Sequence, residues 1–593
     1  MRRFLRFAVL GLAIALLLFA MKTVQAAPSL FVAYPPNNHE TTASRIFLIG
    51  TAPPQQPVLV NGQPIPRSAA GHFAPSFPLK LGDNLFILSS GSQDLALKVI
   101  RQSTAPVLPQ GLGFAPDSLM PSVDLARLPG EVLCFSAIAP VNGTVAVRLG
   151  SLTLPLKPQA QTVNLPPNSA VLTQQEHPAV TVTPGKYQGC TRMASPGQLG
   201  QPEYQLTIEG KTVTQVAAGN VEVLAPEQFE VIEVTAENGV ARTGPSTDYS
   251  RLTPLPQGTQ STVTAREGTW VRLDYGGWIN RKEIRTLPGT APPISLIRGV
   301  RAQAIPGWTE IRFPLQVPVP VSVNQDDRSF TLTLHNTTAQ TDTIRLDDGP
   351  LIARLDWQQR TPDQLQYTFQ LKPRQQWGYK LRYEGTSLVL SLRHGPELRG
   401  GGKGPLTGTK ILLDPGHGSA NDLGARGPTG YPEKDVTLMM AKRLRQQLVN
   451  RGATVILTRE GDEDLFPQDR VVMIQNLEPT IALSLHYNAL PDEGDALKTK
   501  GVGTFWYHPQ SHSLAVALHN HLTQQLNRPS YGVFWNNLAL TRPAVAPSVL
   551  LELGFMINPD EFEWIIDPQE QQKLAVALAD GIVRWFQDSP AKI

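Results

Sequence analysis

From Lys410 to Phe586 short apolar runs alternate with longer stretches in which apolar residues recur at four-residue steps. "KILLD", "TVILTR", "TIALSLH" and "SVLLELGF" read as strands. "DVTLMMAKRLRQQLVNRG" carries Val436, Met440, Leu444 and Leu448 on one helical stripe, with Gly452 placed to stop it. "SLAVALHNHLTQQLN" carries Leu514, Leu518, Leu522 and Leu526 on another. "DPQEQQKLAVALADGIVRWF" opens with Asp567 at the N-cap, Pro568 at N1 and Glu570 at N3. This alternation predicts an α/β domain over 410–590, with a largely parallel sheet flanked by helices.

In such sheets, sites gather at the carboxyl ends of strands. Three strand ends here carry polar residues that a pure core avoids: Asp414-Pro-Gly-His417-Gly, Ser484-Leu-His486-Tyr-Asn488, and Leu551-Glu552-Leu-Gly554. Glu433, in "YPEKD", stands where the first crossover enters its helix, on the same edge. Two histidines and two glutamates suit zinc, which takes three protein ligands at a catalytic site and leaves one position open. The fourth residue is then free to act as a base. Residue chemistry alone leaves open which glutamate is the ligand, and it leaves open a pair of satisfied core histidines. "DPGHGSANDLG" lacks both the Lys-Ser/Thr of a phosphate-binding loop and the GxGxxG spacing. His508, His512, His519 and His521 read as surface or loop residues.

Upstream the pattern is β. A chain of 593 residues exceeds a single core, and its 53 prolines and 48 glycines fall largely between short apolar runs. The expected architecture is multidomain: several small all-β domains followed by the α/β domain. The boundaries are a β-sandwich-like domain at 27–106, a second β domain at 107–226, a small barrel at 227–290, a β-sandwich module at 291–395 and a flexible linker at 396–409. Cys134 and Cys190 both fall in the second β domain and could pair in an exported protein; unpaired buried thiols are the alternative.

Residues 1–26 have a basic start, an apolar run from Phe7 to Met21 and a small-residue cleavage site at Val24 and Ala26, the layout of a secretory signal peptide. The run is shorter than the roughly 20 residues that span a bilayer, so membrane contact is expected only through an uncleaved signal. Arg2, Arg3, Arg6 and Lys22 account for more than the whole net charge of +3, leaving the remainder near −1. That balance argues against a nucleic-acid partner.

"LLDPGHG", "DLGARGPTGYPEKDVTL", "VILTREGD", "RVVMIQN", "ALSLHYNA", "GVGTFWY" and "PSVLLELGFMINPDEF", in that order, resemble the zinc-dependent N-acetylmuramoyl-L-alanine amidases that cleave peptidoglycan. The resemblance implies one zinc per catalytic domain, held by His417, Glu433 and His486, with Glu552 as catalytic carboxylate. Asn488 and Arg542 are candidate substrate contacts. It implies hydrolysis of the amide between the lactyl group of N-acetylmuramic acid and L-alanine, with peptidoglycan as partner and the periplasm or cell envelope as location. An inactive peptidoglycan-binding protein and a zinc carboxypeptidase on stem peptides are the competing readings. Arg242, Gly244, Pro245, Gly258, Trp270, Val271 and Gly277–Trp278 resemble bacterial Src-homology-3-like domains, and 291–395 is similar to amidase N-terminal-type modules. Relatives used in cell division can carry a helix that blocks the zinc; the gap from His486 to Gly501 is too short for one, which predicts an open site.

Overall fold

The computed structural model describes residues 29–105, 107–159, 161–173, 179–398 and 404–588; the expected signal peptide lies outside them. Among the described residues no helix is long and apolar enough to cross a membrane.

The C-terminal domain is a six-stranded sheet. Its strands are β1 (Lys410–Pro415), β2 (Thr454–Leu457), β3 (Ile481–Asn488), β4 (Val502–Trp506), β5 (Ser530–Trp535) and β6 (Ser548–Phe555). The helices are α1 (Glu433–Asn450), α2 (Pro467–Leu477), α3 (Pro509–Gln525), α4 (Pro559–Ile565) and α5 (Pro568–Asp588). Strand order is β2-β1-β3-β6-β4-β5. The pairs β1–β2, β1–β3, β3–β6 and β4–β5 are parallel, but β4 runs antiparallel to β6. Four of the five pairings are thus parallel, as expected, and the β4–β6 pair alone makes the sheet mixed.

The three expected helices form where their stripes place them. Val436, Met440, Leu444, Leu448, Leu514, Leu518 and Leu522 are all fully buried in one core with Leu483, Leu485, Leu551 and Leu553. Asp567 Oδ1 accepts from the backbone N–H of Gln569 (2.8 Å) and Glu570 (2.9 Å), as an N-cap does. The Glu570 carboxylate turns instead to Arg528 (2.6 Å) and Lys573 (2.7 Å).

Upstream, residues 31–101 form small sheets of three, five and two strands around a core of their own. A six-stranded sheet spans 132–216. There Cys134 and Cys190 face each other across two antiparallel strands and are disulfide-bonded. The region 227–290 has a small core of its own, but its sheet continues outward. Strand 125–127 pairs with strand 260–267, so this sheet crosses the boundary expected at 226. Residues 295–393 form a five-stranded and a four-stranded sheet enclosing one core.

The stretch read as a flexible linker is packed where it is described: Leu406 is fully buried in the C-terminal core. So is Trp377 of the preceding module, whose ring lies 5.4 Å from Trp585 and 5.9 Å from Phe586. Arg393 ties the same two units together, donating to the carbonyls of Glu478 (2.8 Å), Pro479 (2.5 Å) and Val545 (3.0 Å).

Candidate active site

β1 ends at Pro415, and Gly416 keeps the pairing by donating its N–H to Leu485 O (2.9 Å). The chain then reverses at His417, which holds a left-handed φ of 62°, costly for a residue with a side chain. Two buried arginines hold this turn. Arg459 donates to the carbonyls of Pro415 (3.0 Å), Gly416 (3.0 Å) and Lys434 (2.7 Å). Arg470 donates to the carbonyls of Pro415 (2.9 Å) and His417 (2.6 Å). Three successive carbonyls are thereby held by guanidinium groups.

Asp414, 1% exposed, anchors the arrangement. Its Oδ1 accepts from Arg470 (2.5 Å) and Thr458 (2.6 Å), and its Oδ2 from Ser484 (2.6 Å). Burial pushes its carboxyl up, but Arg470 and the two hydroxyls outweigh burial and hold it below the usual range.

Glu433, first residue of α1 and 3% exposed, sits between the two histidines. Its Oε2 lies 3.1 Å from His417 Nε2 and accepts from Ala425 N (2.9 Å). Its Oε1 lies 3.1 Å from His486 Nδ1 and accepts from Tyr487 N (2.9 Å). His417 Nδ1 is engaged by Asp422 Oδ1 at 2.6 Å, which leaves Nε2 facing the cluster. One ligand atom from each of His417, Glu433 and His486 falls within 4.8 Å of the others. Burial lowers His417, but Glu433 and Asp422 outweigh it and raise it to about 9. Burial raises Glu433, but the two imidazoles hold it far below the usual carboxylate range.

Glu552 lies in β6, in register with His486 on one side and Gly503 on the other. Its Oε2 is buried without a hydrogen-bond partner. Burial, and then the charge of Glu433, push its carboxyl well above the ordinary value. Tyr531 is a near neighbour, its phenol raised by burial and by the Glu552 charge.

The residues fit a divalent cation of zinc's type. Two imidazoles and a carboxylate are the donor set such an ion takes, and the orphaned Glu552 oxygen lies beside them. The glycines follow from closeness. A Cβ on Gly416 would stand 2.3 Å from His486 Cε1; one on Gly424, whose φ is +69°, would stand 2.5 Å from His417 Cδ2 and 2.6 Å from a Glu433 oxygen. Gly416→Ala is therefore expected to displace His486 and weaken metal binding by about 10–100-fold, the usual cost of disturbing a ligand's support. Competition against a chelating dye measures it.

Asn488 lies two residues beyond His486 on β3, hence on the same face, with its Oδ1 accepting from Ala489 N (2.8 Å). Arg542 is not brought to the site. It precedes β6, at the end of the sheet where that strand begins, and donates to Asn537 O (3.0 Å). The strand from Ser548 to Glu552 alone separates it by about 13 Å. Of the histidines read as surface or loop residues, one differs, and another keeps its loop position but is held by a hydrogen bond. His519 is buried against Ser530 Oγ (2.9 Å), and His508 Nε2 bonds to Arg542 O (2.8 Å). Both lie on the flank of α3 or just before it, where β5 and the turn before β6 cover what the leucine stripe leaves open. The supporting roles of Asp422, Arg459 and Arg470 were missed. A usable signal was the charge that opens the apolar run "RVVMI".

A family model described as N-acetylmuramoyl-L-alanine amidase matches residues 411–584. The germination-specific N-acetylmuramoyl-L-alanine amidase of Bacillus subtilis is 34% identical over 201 residues, 31% of this chain and 82% of that protein. The probable cell wall amidase LytH of Staphylococcus aureus is 35% identical over 186 residues, 31% of this chain and 60% of that protein. Among solved structures, the N-acetylmuramoyl-L-alanine amidase AmiC2 of Nostoc punctiforme is 29% identical, covering 31% of this chain and 99% of that one, with a TM-score of 0.29. The fold and its His/Glu cluster leave the enzyme class open, and the family model together with the Bacillus relative, covered to 82% of its length, decides it. The chain belongs to the N-acetylmuramoyl-L-alanine amidase family, and its enzyme class is that of the family.

Proposed function

We propose that this chain is an exported zinc hydrolase that cuts the amide between the lactyl group of N-acetylmuramic acid and the L-alanine of the stem peptide. The supporting observation is one cluster: His417, Glu433 and His486 with ligand atoms within 4.8 Å, beside a buried Glu552 oxygen that has no partner.

In this reading His417, Glu433 and His486 hold the zinc. When bound, zinc supplies a Lewis acid that polarises the carbonyl and lowers the pKa of water from 15.7 to about 7. Glu552 takes the proton of the attacking water at a carboxylate oxygen and returns it to the nitrogen of L-alanine. The nitrogen leaves as an amine, and the lactyl group becomes a carboxylate. Burial and the Glu433 charge raise the Glu552 carboxyl, which favours its holding the proton taken from water until the nitrogen leaves. Asp422 keeps the Nδ1 proton of His417 in place, so that Nε2 presents its lone pair. Asn488 borders the substrate path.

Mass spectrometry of muropeptides incubated with the full chain tests the reading. New lactyl carboxylates with free L-alanine amines, abolished by a chelator and restored by zinc, are the expected products. Release of terminal D-alanine would point to a carboxypeptidase, and unchanged muropeptides to a binding protein.

A further inference from the structure

The N-terminal module, residues 31–101, is remote in sequence from the site, yet it touches a segment beside three of the four site residues. After His486 comes the loop 489–500. There Asp492 receives the Tyr34 hydroxyl on Oδ1 and His39 Nε2 on Oδ2 (3.0 Å). Ser44 N donates to the Glu493 carboxylate (2.7 Å), and Ser76 Oγ to Gly494 O (3.2 Å). After Glu552 come Phe555 and Ile557. Both are buried in one apolar cluster with Ala496 and with Phe47, Ile49 and Ala74 of the module. In α4, Phe562 meets the His72 ring edge-on at 5.3 Å, and Glu563 accepts from Ala70 N (3.1 Å). Before Glu433, the Phe31 ring lies over Gly430, 3.3 Å from where a Cβ would stand.

Two features separate this contact from a tether. Its apolar part is fully buried: Phe47, Ile49, Ala74, Phe555 and Ile557 are each no more than 3% exposed. Its polar part centres on the loop 489–500, where Asp492 binds two side chains of the module and Glu493 and Gly494 one group each. A loosely strung module would share neither a core nor a doubly bonded carboxylate with the domain it carries.

We propose that the N-terminal module is a clamp on the catalytic edge, and that Asp492 is a positioning residue through which it holds the loop after His486. The inference rests on reading His417, Glu433, His486 and Glu552 as the active site. The module fixes the relative placement of the segments before Glu433, after His486 and after Glu552. It thereby sets the geometry in which a proton moves between Glu552 and the substrate. The open site expected from the short 487–500 gap is thus bordered by a second domain.

The test uses the full chain with Asp492→Ala, Asp492→Asn and Tyr34→Phe, each followed by hydrogen exchange and by muropeptide turnover. In Asp492→Ala, exchange is expected to rise together in 426–432, 489–500 and 556–565. kcat is expected to fall by about 10–100-fold, the scale of a displacement near 1 Å, with KM and bound zinc unchanged. Asparagine keeps an acceptor for Tyr34 and offers an amide to His39, so Asp492→Asn should restore both readouts. Tyr34→Phe removes a single hydroxyl and should give a smaller change in the same direction even if the alanine variant misfolds. Exchange raised in 489–500 alone, or kcat unchanged in Asp492→Ala, would overturn the clamp. If the wild-type chain cleaved no muropeptide, the amidase reading would fail, and the exchange pattern would still decide the clamp.

Discussion

Replacing Glu552 by glutamine is expected to leave about one zinc per chain in place and to lower turnover by about 10²–10⁴-fold, the usual loss on removing a general base. The side chain keeps its shape. Burial and the nearby Glu433 already favour the uncharged form at this position, so a neutral amide should not disturb the fold. Glu433→Gln should behave in the opposite way. Its carboxylate faces both imidazoles at 3.1 Å and accepts two backbone N–H groups, so the variant should lose metal together with activity. Metal analysis beside turnover checks the pair. Zinc lost from Glu552→Gln and kept by Glu433→Gln would reverse the two roles.

Arg470→Ala is expected to cost about 3–5 kcal/mol, because it leaves Asp414 buried without its cation. Asp414 keeps only Thr458 and Ser484, and the carbonyls of Pro415 and His417 each lose a donor. The strained turn at His417 should relax and zinc affinity should fall with it. The pH dependence has a definite sign. In the wild type the Asp414 carboxyl lies below its ordinary value, so its contribution is present above the ordinary carboxylate range and is lost as pH falls through the folded value. In the variant, burial acts without Arg470 and the same carboxyl moves up. Protonation in mild acid then relieves the variant, and the gap in thermal midpoint between the two proteins should narrow from pH 7 to pH 4. A gap that widened would show that Arg470 acts mainly through the carbonyls.

Much of the C-terminal domain was legible. Where leucine or another apolar residue recurs on one stripe, the helix forms there, because burying that stripe is what stabilises it. α2 was harder to see, since Arg470 interrupts its apolar pattern at a position buried for the sake of Asp414. β4 and β5 were missed as strands: each is short and contains a glycine, and β5 is only partly buried. His417, His486 and Glu552 stand out in the sequence as polar groups at apolar strand ends, and Glu433 as an acid at a helix start; that their side chains meet is a tertiary fact. Arg542 had the same proximity along the chain, but it precedes its strand rather than following one.

The sequence by itself determined where the candidate site residues stand, at three strand ends and one helix start, because those are local features at which a polar side chain stands out against apolar runs. It also determined that the chain is built of β units before an α/β domain. Tertiary structure alone decided which donors face one another, how two arginines hold three carbonyls beneath His417, and that the antiparallel strand β4 flanks Glu552. It alone brought residues 31–101 to Asp492 and Phe555, with Tyr34 and Asp492 meeting across 458 positions of chain. Those contacts depend on how whole surfaces fit, and no periodicity or spacing within a segment encodes which distant surface it will meet.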